Sequence, residues 1–556
     1  MSITASELTS RVSTLQKFWT VRNRRMQEWY AQIQMIDNNA KKDMESFVGN
    51  DPRSAFNLIT SILNQPIPHR LDSLELTEEL MKPAGEMSTL LETIWKNIFM
   101  WYRQRGRKWM EDFIKYMLST GWTAAFATIS VDGVACYAEP WNPATVYPAW
   151  DDMLVECAHI TTITKLQAER LAMRNGWSEL SRLSDKNSLQ DYWWVETTQN
   201  IPVIHNAIVL GNELVKQDTI ETRFHRIPIF ISPVAGLPDN GELVAGRNQE
   251  RWKGEIGQGL PATNENIYSA FNKWWSFMLQ ILKDTAIPRT FERTSSTNQI
   301  VKPENWFRRG AHYKLGLQDE IGYLTPPAIP VELRSTQLDM EAMMQRGGPS
   351  WSMYGAGNQN LTTYLMSQIT ATTNNVAKDY HNGVIDTMTD IDNFFLELVR
   401  ENNYKPYGLG YPSKLPDDAR ATASYELRIP GDLVQRATTS RMLSPTFELS
   451  HDRIMDYSFP EIKNTAEERA KVRADKAEQN PIFSQLTLID ALKQEAAILR
   501  EAKNIPAATL YEKAASILET QITGAGQQQQ QSQTGSTTSV RPGPETVAPN
   551  ESTPVM

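Results

Sequence analysis

The spacing of apolar residues predicts two helical regions within the first 120 residues of the chain. Between residues 6 and 40 the apolar positions recur about every 3.6 residues, the period of a helix that packs on one face. The same period returns between about 76 and 118. Within this second region, residues 101–109 combine basic side chains with tryptophans at both ends. Such a stretch is typical of a solvated helix face or a contact between subunits, and a nucleic-acid contact stays open as an alternative.

A different pattern, with short apolar runs separated by turn residues, occupies about residues 120–235. The runs 124–130 and 134–138 flank Asp132 and Gly133, a pair that favours the tight turn of a β-hairpin. Similar runs and turns continue to the end of this region. The sequence therefore predicts a β-rich part inserted into a largely helical protein.

The middle of the chain contains two predicted helices that flank a compact, mixed segment. An apolar stripe four turns long marks the first helix at 263–287, and the second helix covers 331–346. Between them, residues 288–330 carry six basic against four acidic side chains, in contrast to the rest of the chain. A glycine-rich polar loop over 347–360 leads into the longest helical pattern, about 361–402. At 1.5 Å per residue this helix would be roughly 60 Å long, so we expect a large body to support it.

The C-terminal quarter of the chain changes from β-like to helical to low-complexity sequence. Residues 403–460 consist of short β-like pieces interrupted by proline. A capping-box sequence from Thr465 to Glu468 opens a helical region that extends to about residue 522. Residues 523–556 include five consecutive glutamines and no aromatic residue. Because such a composition buries too little apolar surface to fold, we expect this tail to be disordered.

Composition and charge exclude several classes of protein. The 556 residues carry 65 acidic and 56 basic side chains, for a net charge of −9. This balance argues against a protein that coats nucleic acid, but not against one past which DNA slides. Two cysteines exclude a disulfide framework and a multi-cysteine zinc site. No apolar run reaches about 18 residues, so the sequence predicts no membrane partner.

The sequence lacks the common motifs of enzymes and cofactor sites. It contains no P-loop, no G-x-S-x-G, no H-E-x-x-H and no helical histidine pair, so it predicts no cofactor and no metal. We interpret the densest acidic cluster as a solvated or subunit-facing helix surface. An enzyme with an unfamiliar site on Asp379, His381 and Asp386 stays open as an alternative. The cluster consists of Asp379, His381, Asp386, Asp390 and Asp392.

The order of these parts resembles the portal protein of tailed bacteriophages. The resemblance is one of order and texture, and it covers about residues 1–522. It is carried most by residues 264–275 (Asn-Glu-Asn-Ile-Tyr-Ser-Ala-Phe-Asn-Lys-Trp-Trp), by 326–333 (Pro-Pro-Ala-Ile-Pro-Val-Glu-Leu) and by the glycine-rich loop that runs into 361–370. The implied fold is α+β with many parts. They are a wing over 1–262 (helical over 1–120, β-rich over 120–235), a first stem helix (263–287), a clip (288–330), a second stem helix (331–346), a tunnel loop (347–360), a long helix with a return to the wing (361–460), a helical crown (461–522) and the disordered tail (523–556).

The function that the resemblance implies is structural rather than enzymatic. Portal subunits form a ring, usually of twelve, at one capsid vertex, and double-stranded DNA is packaged through it by a separate terminase and later ejected. The implied partners are other copies of the chain, double-stranded DNA without sequence preference, the large terminase, the major capsid and scaffolding proteins, and the head-completion or adaptor proteins. The ring would be assembled in the host cytoplasm and reside in the virion. Another structural virion ring protein, such as an adaptor or tail component, is the nearest alternative.

The resemblance also implies which residues matter. Those of the tunnel loop and its flanks would contact phosphates loosely, those of the clip would face DNA or a docking partner, and those of the stem would pack between neighbouring subunits. For each loop or clip residue, a solvated position or a surface ion pair is the alternative. The candidates are Gln345, Arg346, Asn358, Gln359 and Asn360 for the loop, Arg308, Arg309 and Lys314 for the clip, and Trp274, Trp275, Met278, Met340, Met343 and Met344 for the stem.

Overall fold

Helices and antiparallel strands alternate in blocks along the chain, which confirms the prediction of an α+β fold. The computed structural model divides the chain into two compact units, residues 1–432 and 433–556. The structure describes residues 3–37, 45–71, 78–177, 183–198, 201–238, 256–286, 290–294, 300–302, 306, 312–324, 332–354, 363–416, 418–425, 427, 471–473, 481–501 and 504–531.

Helices make up most of the first 120 residues. They are α1 (Ala5–Phe18), α2 (Thr20–Ile33), α3 (Asp51–Leu63), α4 (Glu78–Arg103) and α5 (Trp109–Thr120). The predicted helical region 6–40 is divided at Trp19, where the backbone leaves the helical conformation (φ −95°, ψ 13°). The Trp19 side chain is buried, and its indole Nε1 donates a 2.8 Å hydrogen bond to the Pro148 carbonyl. The region 76–118 is divided between α4 and α5 by a turn that contains Gly106, whose φ is 73°. The apolar period thus predicts the helices but not where they break.

Two antiparallel sheets form the predicted β-rich part. Their strands are β2 (Trp122–Ile129), β3 (Cys136–Pro140), β4 (Val146–Trp150), β5 (Leu154–Thr164), β6 (Lys186–Thr198), β7 (Ile201–Leu210), β8 (Glu213–Ile220) and β9 (Ile229–Pro233). One sheet has the order β3-β2-β9 and the other the order β4-β5-β6-β7-β8. The hairpin predicted around Asp132 and Gly133 is confirmed by the pairing of β2 with β3. A helix that the apolar pattern did not predict, α6 (Lys165–Asn175), follows β5 and begins with a capping box of Thr164 and Gln167.

The helices of the middle segment lie where their apolar stripes predict them. In chain order the elements are α7 (Glu265–Ala286), β10 (Thr290–Arg293), β11 (Glu320–Tyr323), α8 (Glu332–Arg346) and α9 (Thr363–Glu401). Strands β10 and β11 pair antiparallel, so the segment between α7 and α8 folds back on itself. Helices α7 and α8 contact each other.

Helix α9 runs through the main hydrophobic core. Its buried side chains include Val384, Met388, Ile391, Phe394 and Phe395. The helix contacts α3, α5, β2 and β9, and also a short strand β12 (Ala421–Ala423) that pairs with β1 (His69–Leu71). The expected support of this long helix by a large body is therefore confirmed.

The C-terminal unit contains an antiparallel helical hairpin of α10 (Pro481–Glu501) and α11 (Ile505–Gln531). Small side chains at Ala496, Ala508 and Ala515 are buried along its seam. The expectation of disorder from residue 523 onward was wrong for residues 523–531, where α11 continues through the glutamine run. Glutamine has a good helix propensity, and extending an existing helix avoids the cost of nucleation. The capping box at Thr465 and the rest of the predicted tail lie outside the described residues.

Gly121 closes α5 in a conformation that only glycine adopts cheaply. Its φ is 72°, and a Cβ placed there would lie 2.2 Å from the backbone carbon of Gln258. We therefore expect Gly121→Ala to lower the free energy of unfolding by at least about 2 kcal/mol, from backbone strain and steric overlap together. Urea denaturation measures the change. The matched control is Gly85→Ala in α4, where an added Cβ would meet no described atom within 4 Å apart from the adjacent helix backbone, and a gain of up to about 1 kcal/mol is expected. Equal effects of the two substitutions would contradict this.

Candidate functional site

Helices α7 and α8 are joined by a small apolar cluster of their own. Tyr268 and Phe271 of α7 and Met344 of α8 are buried in it. Phe47, Ile267, Trp275 and Met340 pack around them, half-buried. These residues form a group separate from the main core of the wing helices and sheets, as far as the described residues go. The two helices therefore form a unit that is attached to the rest of the chain by few apolar contacts.

A buried asparagine connects the beginning of α7 to the end of α8. Asn264 belongs to a 3-10 turn, Ala262–Asn264, and is 2% exposed. Its side-chain Nδ2 donates a 2.8 Å hydrogen bond to the carbonyl of Met344, one of the last carbonyls of α8. The contact is close, since a Cβ at Gly347 would lie 2.1 Å from Asn264 Oδ1. This bond fixes how the two helices meet.

The first residue of α7 is held by helix α2. Arg25 Nη1 lies 2.6 Å from Glu265 Oε1, and the Trp29 indole donates to Glu265 Oε2 over 2.9 Å. Gln32 Nε2 donates to the Glu265 carbonyl over 3.2 Å. A carboxylate in the first turn also interacts favourably with the helix dipole. The beginning of α7 is therefore fixed by polar contacts.

Other apolar side chains of α7 and α8 face solvent in the single chain. Phe277 on α7 and Leu338 on α8 are each 57% exposed, and Leu282 and Met343 are also exposed. We call these four residues the stem face. The Trp274 indole N–H, on α7, is buried yet has no hydrogen-bond partner among the described residues. On each helix the two stem-face residues are five positions apart and so point about 140° from each other, which exposes apolar groups in two directions. Exposed apolar groups of this kind are typical of surfaces that other proteins cover.

The structure uses part of the predicted stem set inside the chain. Trp275, Met340 and Met344 belong to the α7–α8 cluster, whereas Met343 belongs to the stem face. The apolar stripe gave no signal for Asn264, which lies just before α7, or for Tyr268 in its first turn. Asn264 also donates a 3.4 Å hydrogen bond to the nearby Tyr268 hydroxyl, but its partner on α8, Met344, is 80 residues away. Trp274 and Met278 are half-buried on α7.

The predicted loop and clip residues are only partly brought together. Gln345 and Arg346, at the end of α8, line a shallow recess with Leu338 and Trp351. Lys314 is exposed between β10 and β11. The remaining candidates lie outside the described residues. They are Asn358, Gln359, Asn360, Arg308 and Arg309.

The basic stretch 101–109 is largely neutralised by neighbouring carboxylates. Arg105 lies 2.5 Å from Glu139, and its guanidinium also stacks over the Trp101 ring at 4.0 Å. Arg107 lies 2.8 Å from Asp112. Since paired charges attract phosphate weakly, the arrangement favours the interpretation as a solvated helix face over a nucleic-acid contact.

The acidic cluster on α9 does not converge on one point. Asp379, Asp386 and Asp390 are exposed. The His381 ring Nε2 lies 2.8 Å from the Tyr425 carbonyl oxygen. Partial burial lowers the pKa of this histidine. Asp392 faces the opposite way, into the core. In the part of the chain that the structure describes, no three His, Cys, Asp or Glu side chains are arranged as metal ligands.

Asp392 is the centre of a buried polar network. The residue is 0% exposed, and its Oδ1 accepts a 2.6 Å hydrogen bond from the Trp95 indole. Its Oδ2 lies 2.6 Å from His69 Nδ1, and the His69 ring stacks on the Trp95 ring. A carboxylate can only accept hydrogen bonds, so His69 donates through Nδ1–H. The network joins β1, α4 and α9.

No family model matches the chain, and no curated protein matches it. Among solved structures, the chain is similar to one from the neck of an empty GTA particle computed with C6 symmetry, at 12% identity and a TM-score of 0.38, over 74% of this chain and 90% of that one. A chain of the neck of a native GTA particle computed with C12 symmetry matches at 12% and 0.35, over 70% and 95%. A chain of the virion of a native gene transfer agent particle matches at 12% and 0.39, over 73% and 89%. TM-scores this low carry no functional argument, so the proposal below rests on the residues of the chain itself.

None of the described helices is both long and apolar enough to cross a membrane.

Proposed function

We propose that this chain is the subunit of a portal ring of a tailed phage or phage-like particle. In this proposal about twelve copies surround a channel at one capsid vertex, and double-stranded DNA passes through it during packaging and ejection. The large terminase would supply the energy, and head-completion or adaptor proteins would attach at the β10–β11 end. Capsid and scaffolding proteins would contact the wing. The ring would reside in the virion after assembly in the host cytoplasm.

The observation that carries the proposal is the helix pair α7–α8 with its exposed stem face. A ring needs a heterologous interface, in which one surface of a subunit meets a different surface of the next. The stem face offers apolar groups on both helices of the pair after their internal cluster is complete. The Trp274 N–H, which lacks a partner among the described residues, would find its acceptor in the neighbouring subunit. The long helix α9 packs in the main core, so it would keep the wing of each subunit in a fixed orientation within the ring.

The proposal includes no catalytic role for the chain. It is supported by the lack of enzyme motifs in the sequence and by the engagement of two members of the acidic cluster in structural contacts. The acidic net charge fits a channel wall from which DNA is released easily. The same features also fit another structural ring protein of the virion, which differs in the width of its channel and in its partners.

Native mass spectrometry of the purified full chain tests the proposal. We expect a dominant species whose mass is close to twelve times that of one subunit, the number usual for the portal rings that the sequence resembles. Measurement at two salt concentrations separates an apolar interface, which persists, from electrostatic aggregation, which does not. A monomer or dimer at both concentrations, also in the presence of the scaffolding protein, would overturn the proposal.

A further inference from the structure

The segment that precedes α3 runs along the first stem helix, α7, in the opposite direction. Residues 45–49 lie against one row of polar side chains on that helix. The amide of Gly49 donates to Asn272 Oδ1 over 2.9 Å, and the amide of Phe47 donates to Ser276 Oγ over 3.0 Å. The amide of Glu45 donates to Gln280 Oε1 over 3.1 Å. Alternate amides of the segment thus bond to every fourth residue of the helix.

The two periods match in length. Four residues of a helix rise about 6.0 Å, and two residues of an extended chain span about 6.6 Å. Three successive bonds can therefore form without strain when the donors are every second residue and the acceptors every fourth. Asn272, Ser276 and Gln280 form such a row on one helix face, so the sequence of α7 contains a site for an extended chain.

Two of the three acceptors are oriented by hydrogen bonds within α7. Ser276 Oγ donates its own proton to the Asn272 carbonyl over 2.7 Å, which leaves its lone pairs for the Phe47 amide. Gln280 Nε2 donates to Asp284 Oδ1 over 3.2 Å, which turns its Oε1 toward Glu45. The row is therefore arranged to accept hydrogen bonds before the segment arrives.

One aromatic ring and one ion pair complete the contact. The Phe47 ring lies 5.5 Å from the Trp275 ring and 6.4 Å from the Phe271 ring, measured between centroids. The Glu45 carboxylate pairs with the Lys283 ammonium. All three hydrogen bonds that the amides donate are only partly buried, so water can replace the side-chain acceptors when the segment moves away from α7. Among the described residues, the α7–α8 cluster is separate from the main core, so few other apolar contacts of this part of the chain hold α7 in place.

We propose that residues 45–49 act as a releasable strap that fixes the first stem helix against the α2–α3 layer. With the strap closed, α7 is held at its first turn by the contacts of Glu265 and along two further turns by the strap. With the strap open, the amides bond to water and the end of α7 away from Glu265 is free to tilt. The strap is a property of the single chain, so it stands or falls independently of the proposed ring.

Amide hydrogen exchange at single-residue resolution tests the strap in the full chain. We expect the amides of Glu45, Phe47 and Gly49 to exchange at least about tenfold more slowly than those of Ser46 and Val48. In the triple variant N272A/S276A/Q280A this alternation should disappear, while the amides of α3 keep their protection. The control is Lys273→Ala, an exposed residue on the same helix, which should keep the alternation.

A disulfide lock gives a second, independent measurement. A Cβ at Gly49 would lie 3.4 Å from Asn272 Oδ1 and 3.1 Å from Asp51 Oδ2, so positions 49 and 272 are neighbours in space and cysteines there can be tested as a pair. Both natural cysteines are buried, and burial raises the pKa of the Cys136 thiol to about 12, so they should not compete. We expect G49C/N272C to form the disulfide in the folded protein. Uniform exchange of the five amides in the unmodified chain, together with no disulfide in this variant, would overturn the proposal.

Discussion

Replacing Asp392 with alanine is expected to lower the free energy of unfolding by about 3 kcal/mol or more. The carboxylate is fully buried and accepts hydrogen bonds from both Trp95 and His69. Its removal leaves two buried N–H groups without acceptors and opens a small cavity. Each unsatisfied group costs about 1–3 kcal/mol, because it has lost its water without gaining a partner. Chemical denaturation of the variant and the unmodified chain, followed by far-UV circular dichroism, measures the difference.

The matched control is Asp386→Ala on the same helix. Asp386 is exposed, so the substitution should change stability by no more than about 0.5 kcal/mol. The substitution Asp392→Asn should lie between the two, since its amide oxygen keeps one acceptor and its NH₂ faces one of the donors. If Asp392→Ala and Asp386→Ala have the same effect, the buried network does not hold β1, α4 and α9 together.

Introducing charge into the stem face is expected to abolish the ring. In the variant F277D/L338D, two exposed apolar groups are replaced by carboxylates at a surface that the proposed ring buries. Each lost side chain weakens every subunit contact by about 2 kcal/mol, and burying an unpaired carboxylate adds to this. Because the contact is repeated around the ring, the variant should be a folded monomer. Native mass spectrometry measures the oligomeric state, and circular dichroism verifies the fold.

The control for this variant is Met173→Asp. Met173 on α6 is 85% exposed and lies on a different part of the chain. Charge at this position should leave the ring intact, which shows that the stem face and not general surface hydrophobicity drives assembly. Rings of unchanged size from F277D/L338D would show that α7 and α8 do not form the subunit interface.

Much of the secondary structure could be predicted from the sequence, because it depends on local periodicity. The hairpin at Asp132–Gly133 and the apolar stripe of α7 each depend on residues that are close together in the sequence. The break at Trp19 could not be predicted, because the apolar period of α1 continues across it into α2. The glutamine run was misjudged because its low-complexity composition predicted disorder, although the predicted helical region ends just before it.

The candidate site was harder to predict than the fold, since its contacts join distant residues. Asp392 was singled out only as a member of an acidic run, and its partner His69 is 323 residues away. The strap depends on amides at 45–49 meeting side chains more than 220 residues later. For α7 and α8, the apolar stripe indicated that the helices pack against something. It could not show that Trp275 packs inside the chain whereas Phe277 is exposed.

Electron microscopy of the purified full-length chain tests the central claim most directly. The account predicts rings of about twelve subunits around a channel wide enough for duplex DNA, roughly 20 Å, with α7 and α8 at the contacts between neighbouring subunits. A ring with a channel too narrow for a duplex would identify a different structural ring protein. Particles without rotational symmetry or a channel, under conditions in which the chain is folded, would contradict the account.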